Sequence, residues 1–247
     1  MIDLDNLIFR SHSCGDLCGQ RGLGVTGQKK ALQSYREQFF DRTKEIKSKY
    51  LEKGLLNESG AIDMINRVYG LNFVKNEIRL TNEYLTGECD IIEKDFVADV
   101  KNSWDLFTFD EAHSTETKDY EWQLRAYMEL YDKPKAQLYY CLTDMSEMQL
   151  LTELERRANY YGGDLPDLIA IRIVKNAVFD KDKFHQFLEQ APIDRTKVAK
   201  EIDKFVHIPE KDRVVKFELD RDQTKTDFLY SRIKEARQFL KTKFQNN

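Results

Sequence analysis

Apolar residues recur along this chain with two periods, and the changes from one to the other divide it into elements. Residues 4–9 predict a short strand. Residues 11–28 are rich in Gly, Ser and Cys and predict a loop, since glycine and serine favour turns. From residue 29 to 53, Leu32, Tyr35, Phe39, Phe40, Ile46 and Tyr50 recur at helical spacing among Lys, Arg and Glu. That pattern predicts one long amphipathic helix, interrupted by Gly54. A second helix follows from Asn57 and closes at Gly70, where a helix C-terminus favours glycine.

Short runs of β character come next, at residues 73–80, 84–85, 89–93 and 96–101, separated by Thr86-Gly87 and by Lys94-Asp95. They predict an antiparallel meander. Residues 118–131 return to helical period, with Pro134 just beyond, and residues 136–142 read as a buried strand. Further helices are predicted at 147–161, 181–189 and 224–244. The order from 55 to 143 is helix, strands, helix, strand, which predicts an α/β core built on a mixed sheet. With 247 residues, 41% of them hydrophobic, the chain suits a single domain. Its core spans about 54–143, preceded by an N-terminal loop and helix (1–53) and followed by a C-terminal extension from about 165 to 247.

Composition narrows the function classes. A net charge of −4 excludes binding of nucleic acid through overall basicity, so any such contact needs a local patch. No apolar stretch approaches the roughly 18 residues of a membrane span, and the first residues lack the pattern of a signal peptide. A location in the cytoplasm is expected. Cys14, Cys18, Cys89 and Cys141 show no CxxC pairing and read as free thiols, and His12, His113, His185 and His207 lack zinc-ligand spacing.

The stretch TGECDIIEKDFVADVKNSW carries the candidate chemistry. Alternate side chains of a strand share a face, so Asp99 and Lys101 point the same way. If the strand holding Asp90 pairs with theirs through the turn at Lys94-Asp95, two carboxylates and an ammonium converge. Isolated, an Asp and a Lys two apart form an ordinary surface ion pair, but here Val97, Ala98 and Val100 surround them. Charges within so apolar a run are costly unless something offsets their lost hydration. A hard cation such as Mg²⁺ or Mn²⁺ does so, taking carboxylate oxygens and retaining waters, with the Val100 carbonyl as a further ligand. Lys101 would then hold an attacking water and stabilise a phosphoryl transition state. Downstream, Gln123 and Tyr127 lie four apart on one helix face.

GECDII, VADVKNSW and QLRAY, in that order, resemble the RecB-like branch of the PD-(D/E)XK nuclease superfamily, and the whole chain is similar to phage-encoded nucleases of the lambda-exonuclease and YqaJ type. The resemblance runs from about residue 54 to 143. It implies a restriction-endonuclease-like core flanked by helices, with Asp90 and Asp99 as metal ligands, Lys101 as the catalytic lysine, and Gln123 and Tyr127 bracing the site and the DNA. It also implies an acidic residue on the preceding helix, for which Glu58 stands a few residues after Gly54. Arg10, Ser11 and Ser13 resemble the position at which such exonucleases hold a 5′ phosphate, with an ordinary surface loop as the alternative. Asp99 stands where many relatives carry Glu. Some RecB-like nucleases hold a four-cysteine iron–sulfur cluster with three cysteines near the C-terminus; no cysteine follows Cys141 here.

The expected activity is Mg²⁺- or Mn²⁺-dependent hydrolysis of duplex DNA from its ends, 5′ to 3′, in phage-type recombination. A ring-shaped homo-oligomer and a single-strand annealing protein are the partners this resemblance implies. An endonuclease of the same superfamily and a non-catalytic DNA-binding protein remain alternatives. Lys29, Lys30, Arg36 and Arg42 could track a DNA backbone or form a solvated helix face with Glu37, Asp41 and Glu45. Trp104 could stack on a base or pack at the rim of the sheet.

Overall fold

The computed structural model describes residues 4–45, 48–118, 120–190 and 195–245. Its centre is a four-stranded sheet made of β4 (Ile91–Ile92), β5 (Phe96–Asn102), β6 (Lys135–Cys141) and β7 (Val214–Asp220), in that spatial order. β5 runs antiparallel to β4 and parallel to β6, and β7 runs antiparallel to β6. A parallel pair needs a long connection. Here α4 (Leu106–Thr115) and α5 (Glu121–Leu130) supply it.

Both faces of the sheet are covered, which explains why β5 reads as a nearly continuous buried run. On one side α3 (Lys49–Tyr69) sets Ala61, Ile62, Met64 and Ile65 against Ala98, Val100, Tyr139 and Cys141. On the other, α4 and α5 set Phe109, Ala112, Leu124 and Met128 against Val97, Ala136, Leu138 and Tyr140. The alternation along β5 therefore sends Val97 to the α5 face and Ala98 and Val100 to the α3 face.

A second unit packs beside this sandwich. Its small sheet places β3 (Leu85–Gly87) between β1 (Phe9–Arg10) and β2 (Leu80–Thr81), with β1 parallel and β2 antiparallel to it. Around Leu7, Phe9, Leu17, Leu85 and Ala126 close α1 (Cys14–Leu17), α2 (Gly24–Phe39) and α10 (Gln223–Gln245). A helical cluster of α6 (Glu147–Tyr160), α7 (Asp167–Ala177), α8 (Lys181–Gln190) and α9 (Arg195–Asp203) has its own core of Ile171, Val174, Phe184 and Leu188. No helix among the described residues is long and apolar enough to cross a membrane. The four cysteines are free and buried.

Several elements differ from the pattern-based expectation. The predicted strand at 4–9 is a 3₁₀ turn (Leu4–Asn6) with only Phe9 and Arg10 in a ladder, and the predicted loop at 11–28 contains a 3₁₀ turn (Ser11–Ser13), α1 and the start of α2. The single helix predicted over 29–53 is two helices. Asp41 adopts a left-handed φ of 49°, which stops α2, and Gly54 lies inside α3. A glycine in a helix interior costs about 1 kcal/mol relative to alanine, and the apolar face that α3 buries on the sheet offsets it. Ile46, part of the same predicted helix, lies outside the described residues. The meander is replaced by two sheets, and Thr86-Gly87 is strand, not turn.

α3 also carries a buried cation that periodicity does not reveal. Lys53 is 1% exposed, and its Nζ donates to the carbonyls of Ser103 at 2.8 Å and Trp104 at 2.9 Å, just past the end of β5. Trp104 itself packs edge-on against Tyr50, with Lys49 Nζ 4.2 Å above its ring. Burial pushes the Lys53 ammonium down from 10.5 to about 8, against the opposing pull of Asp144 and Asp105.

Between those two pH values the unfolded chain binds the Lys53 proton more tightly than the folded one, so stability rises with pH across the window. The full gain is on the order of 3 kcal/mol. Urea midpoints measured at pH 7.5, 9 and 10.5 should rise more steeply for the native protein than for Lys53→Met; parallel curves would refute this.

Candidate active site

The alternation that sends Val97 to the α5 face sends Asp99 and Lys101 there as well. Asp99 is 2% exposed. Its Oδ1 accepts from Gln123 Nε2 at 3.0 Å, and its Oδ2 lies 2.7 Å from Lys101 Nζ. That contact is a short ion pair, so both oxygens of the buried carboxylate are held by side chains. Lys101 Nζ also lies 4.7 Å from the centre of the Tyr120 ring, a cation–π contact.

Asp90 arrives from the neighbouring segment. Its backbone N–H donates to the Ala98 carbonyl at 3.0 Å, the last rung between β4 and β5, and its side-chain Oδ2 accepts from the Val100 N–H at 2.5 Å. The carboxylate thus continues the ladder where the strand stops. The Phe96 and Ala98 carbonyls both bond toward β4. By the alternation of backbone groups along a strand, the Val100 carbonyl points to that same edge, beyond the end of β4.

Asn76 fixes the approach of Asp90. It is buried, its N–H donates to the Asp90 carbonyl at 2.7 Å, and its Nδ2 donates to the Cys89 carbonyl at 2.8 Å. Tyr131 closes this corner by donating to the Ile78 carbonyl at 2.5 Å. Neither residue is marked by a sequence motif, but Tyr131 continues the spacing of four set by Gln123 and Tyr127, and that repeat is the signal for it. Residues 73–80, expected as a strand, are held mostly by such side-chain bonds, including a reciprocal pair between Asn66 and the Phe73 backbone.

Gln123 Nε2 also donates to the Tyr127 hydroxyl at 2.9 Å. Burial, and then the charge of Asp99, raise the Tyr127 phenol far above its usual value, so it stays protonated. Tyr127 in turn touches β3 where only glycine fits. A Cβ on Gly87 would meet the Ser11 Oγ at 2.1 Å and the Tyr127 ring at 2.9 Å. Ser11 and Ser13 are buried, with Ser11 Oγ donating to the Thr86 carbonyl at 3.2 Å, while Arg10 is exposed. The segment 10–13 therefore adjoins the site through Gly87 and Tyr127.

Glu58 stands on α3 with Lys75 as its partner. It forms an ion pair with Lys75 at 3.2 Å and reaches Asp90 only through its field, the smallest of several influences there. Among the described residues no three His, Cys, Asp or Glu side chains come together to hold a metal. Two carboxylates and an edge carbonyl do converge. Such an all-oxygen set suits Mg²⁺, which binds through one or two carboxylates and keeps its waters.

Burial, reinforced by the nearby negative charge of Asp99, raises Asp90 well above the ordinary carboxylate range. Burial depresses Lys101, but Asp99 and Asp90 outweigh it and hold the ammonium above its usual value. In metal-free protein the folded chain binds the Asp90 proton more tightly than the unfolded chain does. Stability accordingly falls as pH rises from the ordinary value near 3.8 through the raised one. Each unit of the rise corresponds to about 1.4 kcal/mol. Asp90→Asn should therefore be more stable than the native protein in EDTA at pH 7, with the gap closing below pH 4; a variant less stable at pH 7 would contradict the like-charge strain.

No protein-family model and no curated protein matches the sequence. Solved structures do match. Over 98% of this chain and 96% of the other, the fold is similar to that of a phage-related exonuclease from Haemophilus somnus 129PT, with a TM-score of 0.67 at 23% identity. An alkaline exonuclease from Laribacter hongkongensis, LHK-Exo, is similar over 98% of this chain and 95% of its own, with a TM-score of 0.58 at 10% identity, and so is its complex with dAMP. The chain has the restriction-endonuclease-like fold of these exonucleases.

Proposed function

We propose that this protein is a metal-dependent deoxyribonuclease that degrades duplex DNA from its ends, 5′ to 3′. The observation that carries the reading is the convergence of Asp90, Asp99 and Lys101, with Gln123 clamped on Asp99, on a fold shared with exonucleases. The dAMP complex of the Laribacter enzyme supports a nucleotide as what this fold takes.

Asp90, Asp99 and the Val100 carbonyl would hold Mg²⁺ or Mn²⁺. When bound, the ion neutralises charge on the phosphate and acidifies a water. The remaining work falls to side chains of this chain. Lys101, whose ammonium the two aspartates favour in the metal-free chain, acts as an electrostatic group in this reading. It donates to the attacking water or to a phosphate oxygen as negative charge builds there. Gln123 fixes the rotamer of Asp99, and the protonated Tyr127 fixes Gln123. Arg10, exposed beside the buried Ser11, would receive a 5′ phosphate in this reading, since a guanidinium offers two parallel donors.

Digestion of linear duplex DNA with Mg²⁺ tests this reading. Lys101→Ala and Asp90→Asn should each slow hydrolysis by a factor on the order of 10² or more, the scale of losing one preorganised electrostatic group. Covalently closed circles should survive, and their cleavage would identify an endonuclease instead. Undiminished hydrolysis in both variants would end the proposal. Separately, Arg10→Ala should bring the rates on 5′-phosphorylated and 5′-hydroxyl ends together; an unchanged preference would remove Arg10 from the end-binding role.

A further inference from the structure

A cleft of about 610 Å³ runs along α2 and the segment that follows it, lined by Lys29, Leu32, Arg36, Phe40, Arg42 and Lys44 among others. The left-handed turn at Asp41 folds the chain back here, and the Arg42 N–H bonds to the Glu37 carbonyl at 3.0 Å. One carboxylate lies among the lining residues. It is Glu37, which already accepts from Gln33 Nε2 at 2.8 Å and from the Lys44 N–H at 3.4 Å. Asp41 and Glu45 of the same segment do not line the cleft. In a chain of net charge −4, this wall gathers four cations against one acid.

Phe40 is 59% exposed in that wall. Phe39 braces it edge-on at 4.8 Å between ring centres, Phe39 stacks on Tyr35 at 5.2 Å, and Tyr35 meets Phe244 at 4.5 Å. An aromatic ring left in water yet held from behind by a series of others is built as a platform. The helix that carries the cleft is also tied to the strand leading into the 10–13 segment beside the active site: Gln38 Nε2 donates to the Ile8 carbonyl at 2.6 Å, and Gln38 Oε1 accepts from the Ile8 N–H at 3.1 Å. Its volume is in the range of small-ligand sites, roughly 300–1,000 Å³, the scale of one or two unpaired bases. Paired bases, moreover, have their faces covered by their neighbours.

We infer that this cleft binds single-stranded DNA beside the active site, with a base stacked on Phe40 and backbone phosphates held by Arg36, Arg42 and Lys44. A cationic groove interleaved with an accessible aromatic is the general chemistry of single-strand binding. The inference rests on the nuclease reading for the source of the strand, but the binding itself needs neither metal nor hydrolysis.

The test is fluorescence anisotropy of a labelled oligo-dT of about twelve nucleotides, titrated with the full chain in EDTA. Phe40→Ala should weaken binding roughly tenfold, the loss of about one stacked base, and Phe40→Tyr should restore it. Arg36→Ala combined with Arg42→Ala should lower the slope of log affinity against log salt by about 1.4, two phosphate contacts on a single strand. Affinity unchanged in Phe40→Ala, or lost equally for a blunt duplex of the same length, overturns the assignment. If Lys101→Ala still hydrolyses DNA while the Phe40 dependence holds, the catalytic reading fails and the cleft stands; if hydrolysis follows Lys101 but binding ignores Phe40, the reverse is true.

Discussion

An ionised Asp99 in the middle of a central strand has lost nearly all of its hydration, and the fold around it is arranged to compensate. The compensation comes from two directions, the Gln123 amide on α5 and the Lys101 ammonium two residues along β5. Each partner imposes a requirement. Gln123 reaches Asp99 only if α5 lies flat on the sheet, which Leu124 and Met128 ensure by packing beside Val97 and Leu138. Lys101 must share the face of Asp99, which strand alternation guarantees. An apolar residue of similar size would satisfy this position without any such apparatus, and buried ion pairs replaced in that way often leave a protein no less stable. The carboxylate is therefore a burden on stability that makes sense through what it can bind.

Asp90 shows how the same constraint spreads. β4 is only two residues long, and where its ladder ends the Asp90 side chain takes the Val100 N–H in place of a backbone carbonyl. Asn76 and Tyr131 then satisfy the backbone of a segment that belongs to no sheet. The candidate site is thus assembled at the point where regular pairing stops, and the side chains that replace the missing hydrogen bonds orient Asp90.

This division also sets what was legible in the sequence. Strand alternation at Asp99 and Lys101, the spacing of four between Gln123 and Tyr127, and the αL glycine at Gly70 are local rules, and the structure follows them. β7 was missed although Val215, Phe217 and Leu219 alternate, because its partner β6 lies some seventy residues away and nothing local names it. The split of the predicted 29–53 helix was hidden for a related reason. α2 and α3 are both amphipathic, but they face different bodies, one packing toward α10 and the other onto β5, and a single periodic stripe cannot report two destinations. Asn76 and Lys53 were invisible because a polar residue's value depends on which carbonyls the tertiary fold brings to it.

The clamp formed by α10 has a bearing on the time at which the site exists. Arg237 donates to the carbonyls of Leu7 and Glu83, and Lys241 pairs with Asp5. The strand β1 and the Ser11 segment that presses on Gly87 and Tyr127 are thus tied down by residues more than two hundred positions later. Contacts of such long range form late, since the loop they close must be ordered first. During synthesis Asp90 and Asp99 emerge well before α10, so a partly made chain holds the two carboxylates without the tie that fixes the segment beside Tyr127. Assembly order thereby separates possession of the candidate catalytic residues from possession of the arranged site.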